Sequence, residues 1–202
     1  NMKIIIAIFL IIPSVVFSQQ FLLIKERLPI DSVIILENAI NSTKESDPPL
    51  IYLSKDYYVP DKEYDLAQPV VYTRKESSFI SDCEVNYFFG NNDSIIQVIL
   101  HTWDYRNEIK REDYIEGKYS EKVRLEMYNN KFDSIYSQVN AIMGLPNTSG
   151  EIKKEEKENR VVCKRNYEWS NEKCNIVVGM LWVEEYNFNS NLRIRLVVSL
   201  KN

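Results

Sequence analysis

Between residues 120 and 143 the apolar positions recur every three or four residues. Leu125, Tyr128, Phe132, Ile135, Val139 and Ile142 step by 3, 4, 3, 4 and 3, so all six share one face of an α-helix. Tyr136 and Met143 widen that stripe, and Lys122, Asn129 and Lys131 mark the opposite, polar face. Ser120 is placed to accept hydrogen bonds from the first-turn amides. Gly144 suits the left-handed position after the last turn, and Pro146 prevents continuation. A long helix with one apolar face predicts packing across a sheet.

Elsewhere after residue 79 the period drops to two. Cys83, Val85, Tyr87 and Phe89 alternate with Glu84, Asn86 and Phe88. Gly90-Asn91-Asn92-Asp93 supplies turn chemistry, and an apolar run over 95–103 completes a hairpin. Two more strands are predicted over 161–169 and 176–186, joined by a turn at 170–173. A second turn, at 187–191, leads to the last strand. There Leu192, Ile194, Leu196, Val198 and Leu200 face inward, while Arg193, Arg195, Ser199 and Lys201 face outward. One buried and one wet face mark an antiparallel sheet. The charged stretch 151–160 (EIKKEEKENR) reads as a solvated loop or a strand extension.

The first third is less regular. Residues 30–43 predict a helix, with Asp31 or Ser32 as cap, Pro29 before it, and Val33, Leu36 and Ile40 at helical spacing. Ser46-Asp47-Pro48-Pro49 stops it. Residues 50–53 and 70–73 are short β-prone runs around a Tyr-rich, irregular stretch at 56–68. The expected organisation is a signal peptide at 1–18, an N-terminal helix with an irregular segment at 19–78, and an α+β domain at 79–202. That domain is expected to be two-layered: an antiparallel sheet of about five strands in the order β-β-α-β-β-β, with the long helix across one face. The 19–78 segment either extends this layer or forms a small appendage. No repeat of 20–50 residues is visible.

The signal peptide rests on Lys3, an apolar run at 4–17, and then Ser18, Gln19 and Gln20. The run is shorter than the ~20 residues a membrane span needs. Cleavage after Ser18 would send the chain to the periplasm or outside the cell, with no membrane span left. Alanine is scarce, whereas Ile, Lys, Asn and Tyr are abundant. With the signal ending Phe-Ser-Gln-Gln, this usage resembles that of small exported proteins of Bacteroidetes. Three Asp-Ser-aliphatic triplets (Asp31-Ser32-Val33, Asp93-Ser94-Ile95, Asp133-Ser134-Ile135) resemble the O-glycosylation acceptor pattern of such proteins.

The chain carries 25 basic and 29 acidic residues among 202, a net charge of -4. That balance argues against a nucleic-acid partner, whose phosphates call for a basic face. No P-loop, G-x-G-x-x-G, G-x-S-x-G or H-E-x-x-H string is present, so neither a cofactor nor a metal is expected. The single histidine, His101, has no His or Cys within twelve residues. His101 with Asp104 could act as base and orienter for a serine nucleophile. The more ordinary reading of one strand histidine is structural, and alternation groups it with Ile95, Gln97 and Ile99 on a face that could be wet. Export into an oxidising compartment opens the question of a disulfide among Cys83, Cys163 and Cys174, with connectivity unassigned.

Aromatic residues near loops supply the positive functional hint. Tyr57, Tyr58, Trp103, Tyr105 and Trp169 are the candidate binding residues, since exposed rings suit sugar or protein surfaces. The competing reading is that these rings close the ends of the core. The expected function is an exported, non-enzymatic protein that binds a protein or glycan partner at the bacterial cell envelope. The alternative is a small envelope hydrolase using His101 and carboxylates, and a third reading is an accessory subunit of an outer-membrane complex. A cleft containing His101 would favour the hydrolase.

Overall fold

The computed structural model describes residues 24–53, 64–105, 121–157, 160–185 and 191–201. The predicted signal segment, Tyr57, Tyr58, Ser120 and residues 187–190 of the predicted turn at 187–191 lie outside the described residues. Among the described residues the order is α1 (Ile30–Ala39), β1 (Thr43–Lys44), β2 (Val70–Arg74), β3 (Cys83–Phe89), β4 (Ile96–Asp104), α2 (Glu121–Met143), β5 (Ile152–Lys157), β6 (Arg160–Ser170), β7 (Cys174–Glu185) and β8 (Arg193–Leu200).

All eight strands belong to one antiparallel sheet in the order β1-β2-β3-β4-β8-β7-β6-β5. The fold is α+β with an antiparallel sheet, but the expectation of about five strands in the order β-β-α-β-β-β is wrong. Three strands account for the difference. β2 comes from the 19–78 stretch and pairs with β3 along its whole length. β1 adds two residues beyond it. β5 is the charged stretch Ile152–Lys157, exposed at all six positions and, among the described strands, paired with β6 alone. An edge strand held by main-chain bonds needs no apolar residue, and charges on it discourage further pairing.

Each half of the molecule is a helix followed by a four-stranded meander, and the halves join where β4 pairs with β8. This repeat in topology leaves no visible repeat in sequence. Both helices lie on one face. Val33 of α1 and Tyr128, Phe132, Ile135 and Val139 of α2 pack into one core with alternate residues of β2, β3, β4, β6, β7 and β8.

The long helix ends as its sequence requires. Gly144 takes φ +81° and donates its N–H to the Asn140 carbonyl at 2.9 Å, closing the last turn. The predicted polar face needs correcting at two positions: Lys131 is half-buried, paired with Glu76 and lying over the rings of Phe79 and Trp103. Asn129 is also half-buried, and its amide donates to the Leu125 carbonyl.

The first helix is shorter than predicted. Asn41 adopts φ +57°, its N–H donates to the Asn38 carbonyl, and the Ser42 N–H donates to the Glu37 carbonyl. That pair of bonds ends α1 before the prolines are reached, and Asn is one of the few side chains that tolerates this backbone. Residues 50–53 form no strand. Instead Ile51, Leu53, Tyr64 and Leu66 cover a second apolar cluster, Phe88, Val98, Leu100 and Val197, on the sheet face away from the helices.

Candidate functional site

The predicted site residues divide between the core and the undescribed segments. Trp103 and Trp169 are 1% and 2% exposed, and both belong to the core beneath the helices. Their indole N–H groups are satisfied internally, Trp103 by Glu76 at 2.6 Å and Trp169 by the Gly144 carbonyl at 2.9 Å. Rings so placed present no surface to a partner; they close the ends of the core. Tyr105 packs against the same core, with the Arg124 guanidinium 5.0 Å from its ring centre.

His101 is buried, not solvated. The pairing of β3 with β4 shifts between Phe88 and Phe89, so Gln97 is an extra residue in the ladder. This bulge reverses the alternation before it, and Ile99, His101 and Trp103 all face the helices. His101 lies in a cross-strand row between Val85 and Leu196. Asp104, three residues on, points to the other face, where it pairs with Arg193. Residues i and i+3 of a strand face opposite ways, so the proposed base and orienter do not meet.

Burial, reinforced by the Arg74 charge, holds His101 well below the ordinary imidazole value of 6.5, against a backbone hydrogen bond to Leu196. The unfolded chain therefore binds a proton below pH 6.5 that the folded chain refuses. Stability is complete above that pH and falls as pH drops below it. His101→Asn is expected to abolish this part of the acid dependence. Urea melts between about pH 7 and about pH 5 measure it, since no other histidine titrates there.

The three cysteines are free and buried. Cys163 lies opposite Trp182 and Cys174 opposite Leu200, so register does not bring them together. Burial raises the Cys163 thiol to about 11, with Glu184 adding to the effect. Among the described residues no group of three or more His, Cys, Asp or Glu is placed to hold a metal ion.

A concave surface lies on the sheet face away from both helices. A groove of about 690 Å³ runs over β6, β7 and β8. Strand register arranges its walls in rows. Lys164, Leu181, Arg193 and Asp104 form one row; Asn166, Gly179, Arg195 and Thr102 the next. Glu168, Val177 and Val197 follow, and Ser170, Asn175 and Ser199 form the far end. The lining holds three cations, Lys164, Arg193 and Arg195, and the carboxylate of Glu168; Arg193 is paired with Asp104 and Lys164 with Glu155.

Two features fix the shape of this surface. Gly179 stands mid-strand, where a side chain would otherwise fill the floor. A Cβ added there would lie 2.8 Å from the Asn166 carboxamide oxygen, which leans over it. A glycine inside a strand weakens the strand, and such positions mark close approach of another group. Arg193 is held by Asp104, whose side chain is 5% exposed, through its Nε at 2.6 Å and one terminal nitrogen. Lys164 is tied at the rim to Glu155 at 3.0 Å. The outward face of the last strand is legible in the sequence, but the groove is not, because it depends on which residues of β6 and β7 stand beside those arginines. Gly179, isolated in an apolar run, is the signal that would have found it.

No protein-family model matches the chain, and no curated protein or solved structure matches it.

Proposed function

We propose that this is an exported, non-enzymatic protein of the bacterial cell envelope that binds a protein or glycan partner, and that the partner occupies the groove over β6, β7 and β8. The observation that carries the reading is the groove itself: a concave surface in mid-sheet, floored by a strand glycine and lined by cations, amides and apolar side chains. Ligand sites are concave, with a small number of placed polar groups that set orientation. Export is supported by the charge, apolar run and small polar residues of positions 3–20.

The hydrolase alternative required His101 in a cleft. That side chain lies under the helices, across the sheet from the groove, and nothing favours it as a base there.

Gly179→Leu fills the floor of the groove. On arrays of envelope glycans and peptides, the parent chain is expected to retain a defined set of ligands. The variant should lose about tenfold or more in affinity for them, as a blocked pocket does, while its circular dichroism remains native. Arg195→Ala, which removes groove chemistry without adding bulk, should weaken the same ligands. Unchanged binding by both variants would place the partner elsewhere.

A further inference from the structure

We propose that α1 is an acid-released strap: protonation of Glu37 lifts the helix from β2 and β3, while α2 and the sheet stay folded. The device is independent of the groove, which lies on the other face of the sheet.

The helix is tied to the sheet at both ends by main-chain bonds. Before it, the Ile96 N–H donates to the Leu28 carbonyl at 2.9 Å and the Ile30 N–H to the Ser94 carbonyl at 3.0 Å. After it, β1 pairs with β2, and the Glu45 N–H donates to the Val71 carbonyl at 3.0 Å. Between these anchors, Val33 and Glu37 are the buried residues among the ten of the helix. A helix of that length is marginal by itself in water, so α1 depends on what it docks against. The long helix is held differently: α2 sinks Tyr128, Phe132, Ile135 and Val139 into the core, with Lys131 paired to Glu76 beside them. Elements with few buried apolar contacts open at lower free energy than the rest of a fold.

Glu37 is therefore the polar hold on the middle of the strap, and it works while charged. Its carboxylate takes Arg74 from β2, Tyr87 from β3 and Ser42 from the chain after α1. Tyr72 of β2 and Cys83 of β3 also feel its charge, Glu76 and Lys131 act on Cys83 as well, and His101 of β4 feels that of Arg74. A carboxylate only accepts hydrogen bonds, whereas a protonated carboxyl turns one oxygen into a donor. The proton thus ends the ion pair and leaves the Arg74 guanidinium, whose side chain is 11% exposed, uncompensated beneath the helix. Moving α1 outward restores water to it. The bonds at both ends are main-chain and do not titrate, so the helix bows away between them. Because its partners hold the Glu37 carboxyl below the usual 4.5, the strap is closed above that pH and opens as pH falls through the lowered value.

Amide hydrogen exchange of the whole chain, read as protection factors from about pH 7 to about pH 3, tests the device. Residues 30–39 are expected to lose about tenfold or more in protection, and to do so at a higher pH than residues 121–143. Tyr87→Phe keeps the ring and removes one donor to the carboxylate, so the α1 transition should move to higher pH while that of α2 stays. Glu37→Gln, which takes up no proton there, should show α1 protection already reduced at neutral pH and unchanged on acidification. His101→Asn, which leaves the Glu37 network in place, should keep the α1 transition. Loss of protection by both helices together would overturn the inference, as would an α1 that outlasts α2. So would an α1 transition unmoved by Tyr87→Phe, or one that persists in Glu37→Gln and vanishes in His101→Asn.

Discussion

Replacing Glu37 with alanine is expected to lower the unfolding free energy by about 3–5 kcal/mol, the range for removing one partner of a buried ion pair. Glu37 sits on α1 with its side chain fully buried. Its carboxylate receives Arg74 Nε at 3.1 Å, an Arg74 terminal nitrogen, the Tyr87 hydroxyl and the Ser42 hydroxyl. Arg74 also donates to the Tyr87 oxygen at 2.9 Å. The network joins the first helix to β2 and β3, so losing the carboxylate strands a guanidinium whose side chain is only 11% exposed. Glu37→Gln keeps the shape but not the charge and should cost less, about 1–3 kcal/mol.

The same group sets a pH dependence. Burial works to raise the Glu37 carboxyl, but the Arg74 pair and the Ser42 and Tyr87 donors outweigh it and hold it below the usual 4.5. Below that value the unfolded chain binds a proton before the folded chain does. The stabilisation is therefore complete above pH 4.5 and is lost as pH falls through the lowered folded value. Glu37→Gln should flatten the acid limb in this lower window and leave the His101 window, which begins at 6.5, in place. A single limb unaffected by either substitution would show that neither group is buried as described.

Phe132→Ala is expected to cost about 3–5 kcal/mol, the range for truncating a core aromatic. The ring is fully buried, lies 5.9 Å from that of Tyr167, and carries the Arg165 guanidinium 5.0 Å from its centre. Tyr136, Tyr167 and Trp169 continue the cluster between α2 and β6. Truncation removes transfer energy and opens a cavity that neighbouring rings fill poorly. Lys122, exposed on the same helix, is the control, and its replacement by alanine should stay within about 0.5 kcal/mol. Equal denaturation midpoints for the two variants would mean the helix packs by another face.

Local pattern carried much of the architecture. The six-residue stripe of α2 and the inward set of β8 are enforced by neighbours along the chain, and both appear where the sequence puts them, but the other face of β8 is not wet throughout, since Val197 and Ser199 are buried. The stripe is imperfect at its end, where Ile142 is 46% exposed beyond the edge of the sheet cluster. Features set by pairing were not legible. β5 has no apolar period to read, and β1 is two residues long. The bulge at Gln97 reversed the face of His101, because parity counted from Ile95 holds only while the ladder is regular. The left-handed Asn41 ended α1 before the proline pair that looked like its stop. The candidate site follows the same division: Arg193 and Arg195 were read as outward, but their company of Gly179 and Asn166 is a matter of register across three strands.

The proposed function requires the partner to meet the sheet face opposite the helices, not the helical face or the aromatic rings. In vivo photocrosslinking tests it most directly. A benzophenone amino acid is placed at Asn166, in the groove, and separately at Glu126, exposed on α2. Irradiated envelope preparations are expected to yield a retarded, covalently joined species from position 166 and none from position 126. An adduct from position 126 with none from position 166 would contradict the account and move the binding surface to the helices.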